Sequence, residues 1–449
     1  MVDNNKDTSS GNVTKTIPPD VETVTDADEA IEIATPVEDA PKVEKKATGA
    51  HKDEDEPTGA KAIALKIVTG SGLISVLSVV AALIFGAILI AAANAEVQAA
   101  AVSGNIGKFF STVGKVIGSA YYALFQGAIV NPDAHNFAAF IAPLFDSLKV
   151  ATPLIFMGLG LAVGFRSALF NIGGQGQIIV GGIFASYVGF AFDLPPVIHL
   201  IAAIIAAVIG GMLWGFIPGI LKAKTGANEV IVTIMLNSIA LLLISWVLAQ
   251  PAFQRPGENR PLTPAMHDNA IYPIIRIGEI QLSVAFFLAI AAVILTWWLL
   301  ERSTLGFKLR ATGLNPDAAK SAGINASMMS VWALMISGGF AGLAASSAVL
   351  IPATGMASGV ASSYGFDAIM VALLGRSKPL GTFLSALLLG ALRSGGYLMQ
   401  ATTSTPIDVV SVIQAVVVMF IAAPPFIRAL FRLPDPEKLA LRKAAKEVA

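Results

Sequence analysis

The sequence predicts an all-α, polytopic membrane protein with about ten transmembrane helices in two five-helix halves, the third helix of each half broken or short. Composition, a succession of apolar runs and the sorting of basic residues between those runs predict it. Of 449 residues, 55% are hydrophobic and 13% charged, roughly half the charge of an ordinary soluble domain, and the mean hydropathy is +0.71. A helix needs about 20 apolar residues, at roughly 1.5 Å each, to cross the hydrocarbon. Apolar runs that meet or approach this length lie at 67–93, 150–165, 177–192, 197–217, 229–249, 283–300, 327–350, 366–375, 379–399 and 407–427.

Basic residues orient these runs, because Lys and Arg concentrate in cytoplasmic connections. Lys61 and Lys66 place the N-terminal side in the cytoplasm. Alternation then puts Arg166, Lys222, Lys224, the island 301–325, Arg376, Lys378 and the C-terminal tail on that same side. The short outer connections 193–196, 351–365 and 400–406 hold no Lys or Arg. Both termini are therefore expected in the cytoplasm, in a multi-pass membrane protein. The longer outer loops, 94–149 and 250–282, carry a few basic residues, but long loops obey the bias weakly. Within the first, residues 106–130 combine aromatics and two lysines at helical spacing, which suits a helix lying in the interface. Counting that stretch as a crossing would place every downstream basic loop outside.

The domains expected are an acidic cytoplasmic tail at 1–62, a transmembrane body at 63–432 and a basic cytoplasmic tail at 433–449. Residues 1–60 carry 15 Asp plus Glu against 6 Lys, a charge of −9, and the remainder carries +9. The acidic segment has too little apolar surface to offset chain entropy and reads as disordered. The first apolar run begins too far in, and is too long, for a cleavable signal peptide.

Several chemistries are excluded. With no cysteine, neither disulfides nor thiolate metal sites arise, and His51, His135, His199 and His267 lack metal-ligand spacing. No G-x-x-x-x-G-K-[ST] phosphate loop occurs, and Gly158-Leu159-Gly160 lacks the third glycine of a dinucleotide fingerprint. No catalytic constellation is present, and the basic excess of the body reflects topology rather than nucleic-acid binding.

Three features point to transport. Polar, glycine-rich interruptions precede the third run of each half: Asn171-Ile172-Gly173-Gly174-Gln175-Gly176-Gln177 and Ser363-Tyr364-Gly365-Phe366-Asp367. Corresponding interruptions in two halves mark either a translocation path or two surface turns, and the path reading ranks first. Asn171, Gln175 and Gln177 are candidate path residues, as is Asn237, which, like Gln414, suits interhelical glue equally. Asp367 and Arg393, charged and mid-run, must face protein or water and are expected to pair. Gly211, Gly215 and Gly219 form a small-residue stripe suited to close helix packing. Finally, the island contains a helix start at Asn315-Pro316, with Asp317 at its positive end and Gly323 able to close it. About two turns cannot stand alone, so this is either a peg for a groove on a soluble partner or an ordinary loop holding a helical turn. The residues alone leave both open.

Four runs occur in order: G-L-A-V-G-F-R-S-A-L-F-N-I-G-G-Q-G-Q (Gly160–Gln177), G-A-N-E-V-I-V-T-I-M-L-N (Gly226–Asn237), the island with L-G-F-K-L-R-A-T-G-L-N-P-D-A-A-K-S-A-G-I-N, and G-F-D-A-I-M-V-A-L-L-G-R (Gly365–Arg376). Together they resemble the permease subunit of bacterial ABC importers of the ribose/branched-chain amino acid class, most of all its nucleoside and simple-sugar subgroup, over about residues 63–430. The resemblance implies that the island couples to an ATPase subunit through Arg310, Ala311, Gly313, Asn315, Ala318, Ala319 and Gly323. It also implies a second permease, identical or paralogous, and an extracytoplasmic binding lipoprotein delivering a nucleoside or simple sugar. The chain itself would be no enzyme and hold no cofactor, ATP being bound by the partner. An ion-coupled secondary transporter is the alternative, although the body has few carboxylates.

Overall fold

The computed structural model describes residues 71–433 except 259, 352–354, 362 and 404. The acidic tail, nearly all of the basic tail, and Lys61 and Lys66 lie outside the described residues.

Helices α1 (Ser71–Ala93), α2 (Ala95–Val102), α3 (Ile106–Ala128), α4 (Phe137–Arg166), α5 (Gly174–Ala191), α6 (Ile198–Thr225) and α7 (Glu229–Leu248) come first. A two-stranded antiparallel hairpin, β1 (Ile274–Ile277) and β2 (Ile280–Ser283), follows. Next are α8 (Val284–Arg302), α9 (Thr304–Leu314), α10 (Pro316–Ser321), α11 (Ala326–Val349), α12 (Tyr364–Leu374), α13 (Pro379–Thr403), α14 (Ile407–Ala422) and α15 (Pro424–Leu430). Among the described residues, seven helices are long and apolar enough to cross a membrane: α1, α4, α6, α7, α8, α11 and α13. Of the other three expected crossings, α5 has 18 residues, α14 16 and α12 only 11. At about 1.5 Å per residue, α12 reaches roughly half-way across the hydrocarbon.

The structure corrects several expected boundaries. Helix α4 starts at Phe137 rather than residue 150, because the Asn136 side chain accepts from the Ala139 N–H at 2.7 Å. Asp146 and Lys149, which read as loop, pair at 2.8 Å along one helical face. Most of the expected outer loop is thus helical. Helix α3 is not a purely interfacial helix. Its first half, with Lys108 and Lys115, is exposed, but its second half packs on α13, where Ser394 Oγ donates to the Gly127 carbonyl at 3.0 Å. Helix α6 runs on to Thr225 and ends on Gly226 at φ +70°. The last run breaks in two because Pro424 and Pro425 lack N–H donors, and Ala423 takes a non-helical φ of −115°.

Packing repeats between the halves. Helices α6 and α11 lie antiparallel with backbones touching: a Cβ on Gly211 would stand 2.0 Å from the Gly338 carbonyl oxygen, one on Gly215 2.3 Å from that of Leu334, and one on Gly342 2.2 Å from that of Ala207. The small-residue stripe is therefore a helix–helix contact. Helices α4 and α13 make the equivalent antiparallel pair, with Gly390 on Ala151 and Gly158 on Thr382. The first helix of each four-helix set (α4–α7, α11–α14) thus packs on the third helix of the other, and α4 meets α11 where Gly160 rests on Ser337.

Candidate functional site

The two glycine-rich interruptions come together in the middle of the bundle. After Arg166 the chain turns back through Ala168 at φ +54°, with Leu169 N–H donating to the Gly164 carbonyl at 3.0 Å. It re-enters the bundle, so that α5 begins beside Met157 rather than level with Arg166: a Cβ on Gly174 would lie 2.3 Å from Met157 Cε. The start of α12 meets it there. A Cβ on Gly365 would lie 2.5 Å from the Gln175 backbone nitrogen, so only glycine permits the approach. Two helix N-termini, with their positive dipole ends, converge on one region.

Different chemistry holds each start. Around α5, Asn171 Nδ2 donates to Gln177 Oε1 at 3.0 Å and to Ser337 Oγ at 2.8 Å, while its Oδ1 accepts from Gly173 N–H at 2.9 Å. Asn237 accepts from Gly176 N–H at 2.8 Å and donates to the Ile172 carbonyl at 2.9 Å. Asn171, Gln177 and Asn237 are all buried; Asn171 and Asn237 satisfy the loop backbone, as irregular chain at membrane depth requires, and Gln177 accepts from Asn171. Gln175 is half-buried at the junction of the two helix starts. Around α12, the expected pair is present: Arg393 Nη1 lies 2.6 Å from Asp367 Oδ2 and donates to Ser363 Oγ at 2.6 Å. Ser363 Oγ donates in turn to Asp367, Arg393 Nε to Tyr397 Oη at 3.1 Å, and the guanidinium lies 5.2 Å from the Tyr364 ring centroid. Gln414 donates to the Leu389 carbonyl at 3.1 Å, so it is interhelical glue.

At the end of the bundle away from Arg166, two adjoining cavities of about 420 and 160 Å³ share Lys149, Ser347 and Ile351. Thr152, Gln281 and Arg276 line the smaller, and Tyr364 the larger. Sequence reading missed this vestibule. Its one signal was the Ser346-Ser347 pair inside an apolar run.

The island at the opposite end holds more structure than expected. Helix α9 precedes the expected short helix, capped by Ser303 Oγ accepting from Gly306 N–H at 2.9 Å. Helix α10 is capped as expected, Asn315 Oδ1 accepting from the Asp317 and Ala318 N–H groups at 3.0 Å each, and Gly323 takes φ +78°. Ala318, Asn315 and Gly323 are exposed, and Ala311 is half-buried. Two residues expected to contact a partner also pack on this chain. Ala319 is buried, and a Cβ on Gly313 would stand 2.5 Å from the Arg166 carbonyl oxygen. Arg310 pairs with Glu301 at 3.1 Å. Beside it opens a groove of about 560 Å³ lined by Phe165, Arg166, Phe307, Arg310, Ala311, Gly313 and Leu314, of which Phe307 and Leu314 are 60% and 88% exposed.

The family model "Branched-chain amino acid transport system / permease component" matches residues 143–422. The chain belongs to this family. It is the permease subunit of an ABC importer, a multi-pass membrane subunit without an ATPase site of its own. The ion-coupled alternative has no support. The chain is 37% identical over 283 residues to the guanosine ABC transporter permease protein NupP of Bacillus subtilis (strain 168), covering 62% of this chain and 80% of the relative. It is 32% identical to the nucleoside ABC transporter permease protein NupB of Lactococcus lactis subsp. cremoris (strain MG1363), covering 67% and 84%. It is 29% identical to the glucose ABC transporter permease protein TsgB13 of Haloferax volcanii, covering 64% and 77%. No solved structure matches the chain.

Proposed function

We propose that this permease forms the membrane path for a nucleoside, driven by a separate ATPase subunit that docks on α9 and α10. The observation that carries the docking is the exposed, doubly capped α10 beside the open groove, at the end of the bundle holding Arg166, Lys222 and Lys378. Too short to fold alone, α10 is an anchored peg. Ala311 and Ala318, with Phe307 and Leu314, supply its contact surface; Asn315 and Gly323 shape it; Gly313 and Ala319 hold it on its own chain. ATP is bound by the partner, and this subunit holds no cofactor. A second permease completes the pore, an extracytoplasmic binding lipoprotein delivers cargo, and both termini lie in the cytoplasm.

Cargo assignment rests on NupP and NupB, whose names specify guanosine and nucleosides. Hydroxyl and amide groups of Thr152, Ser347 and Gln281, with the Tyr364 ring lining the adjoining cavity, suit a hydroxylated ring system. A simple sugar is the second reading, favoured by the glucose and ribose permeases among the relatives. Gln175 and the Asp367–Arg393 pair border the path, while Asn171, Gln177 and Asn237 hold the re-entrant chain beside it. Uptake of radiolabelled guanosine into vesicles should persist when ion gradients are collapsed and stop without ATP; uptake of glucose but no nucleoside would select the second reading. Ala318→Trp should abolish co-purification of the ATPase subunit with unchanged membrane insertion. A cysteine at 318 should be labelled only from the cytoplasmic face, and labelling from outside would overturn the docking reading.

A further inference from the structure

Beneath the groove, one carboxylate lies between two guanidinium groups. Glu301, in the last turn of α8, reaches Arg310 of α9 at 3.1 Å through Oε2 and Arg166, the last residue of α4, at 3.8 Å through Oε1. Arg166 Nε then donates at 3.1 Å to the carbonyl of Ser377, in the turn between α12 and α13. That turn is conformationally confined: Arg376 and Ser377 both have φ +52°, and a Cβ on Gly375 would stand 2.3 Å from the Thr382 nitrogen. Helix α9 is also fixed by backbone contact at two points, Gly306 on the Leu299 carbonyl and Gly313 on that of Arg166. The path continues, because α12 runs from this turn to Gly365, which lies on Gln175 at the start of α5.

We propose that Glu301 is a positioning residue that relays movement of the peg to the α12–α13 turn, and thereby to the meeting point of the two half-helices. The proposal rests on the docking of an ATPase at α9 and α10. The three side chains are each about one-third exposed, where ion pairs contribute little to stability, so their placement points to transmission rather than to holding the fold. Without the carboxylate, Arg166 and Arg310 lose their shared partner, and α9 keeps its backbone contacts with α8 and α4 and the burial of Leu309.

The absence of native cysteine allows spin labels at Thr225→Cys and Lys378→Cys, both at exposed positions, to report the turn against the end of α6. The experiment uses the full complex that co-purifies with the tagged chain. Trapping it with ATP and vanadate should shift the 225–378 distance in the parent. Glu301→Gln should bind the ATPase as the parent does yet lose at least three-quarters of that shift, and Glu301→Asp should restore more than half of it. Transport per ATP hydrolysed should fall about tenfold in the Gln variant. If Glu301→Gln fails to fold, Arg310→Gln, which keeps the Glu301–Arg166 contact, should show the same loss. A full shift in the Gln variant, no shift in the parent, or loss of ATPase binding on Glu301→Gln would each overturn the relay. Failure of the parent itself to bind an ATPase would instead overturn the docking reading.

Discussion

The start of α5 and the start of α12 solve one problem with opposite chemistry. Both are helices that begin at mid-depth, where lipid offers no hydrogen bonds. At α5, neutral amides satisfy the backbone: Asn171 and Asn237 are 1% and 5% exposed. At α12, the Ser363 carbonyl accepts from the Phe366 and Asp367 N–H groups, and a charged pair with side chains 15% and 16% exposed braces the turn through Ser363 Oγ. Amides can be buried fully once hydrogen-bonded, whereas ionised groups keep some access to water or a partner. The α5 start is thus the more deeply buried of the two, and the α12 start the one that retains some exposure.

The largest test breaks the charged side. Asp367→Asn should cost about 3 kcal/mol, because Arg393 is left buried without its counter-charge. Asp367→Asn with Arg393→Gln should recover most of that loss, read as the thermal midpoint of the detergent-solubilised chain. A double variant as unstable as the two single losses added would refute the pairing. Next comes the amide side: Asn237→Leu should cost about 2 kcal/mol, since the Gly176 N–H and Ile172 carbonyl lose their partners. Hydrogen exchange across 172–177 should accelerate while 364–367 is unchanged.

Glycines at the two equivalent helix–helix contacts sharpen the comparison between the halves. Gly338→Ala places a Cβ 2.1 Å from the Gly211 carbonyl oxygen, whereas the closest neighbour of a Cβ at Gly390 is Ala151 Cβ at 2.7 Å. Both overpack, within about 1–3 kcal/mol, with Gly338→Ala the more damaging; equal midpoints would show that the α6–α11 contact yields as easily as α4–α13. The smallest effect is expected at Asp146, whose side chain is 55% exposed and pairs with Lys149 at 2.8 Å. Asp146→Asn should change stability by about 0.5 kcal/mol or less, a change reduced further at high salt.

Much of the site was legible because its signals were local. Asn315-Pro316 and Gly323 cap and close α10 by rules that involve only near neighbours. Asp367 and Arg393 stood out because charges inside apolar runs need partners. Direction was not legible. Asn237 fits a cargo-facing amide and a loop clamp equally, and only contact with Ile172 and Gly176 decides between them. Gly313 and Ala319 read as partner contacts because nothing nearby in the chain shows that Arg166 lies under the island. The length of α4 was hidden because Asp146 and Lys149 resemble loop charges until their spacing is set on a helix.

The sequence by itself determined which segments are helices in lipid, where the chain is interrupted and which family the chain resembles. Each follows from residues close in the chain: an unpaired backbone group or a stray charge in hydrocarbon is penalised where it stands. Only the tertiary structure decided that Gly365 lies on Gln175, that α6 packs on α11 as α4 packs on α13, and that one carboxylate joins Arg310 to Arg166. Those contacts join segments distant in the chain, and they depend on how closely backbones approach, which close packing settles for the bundle as a whole.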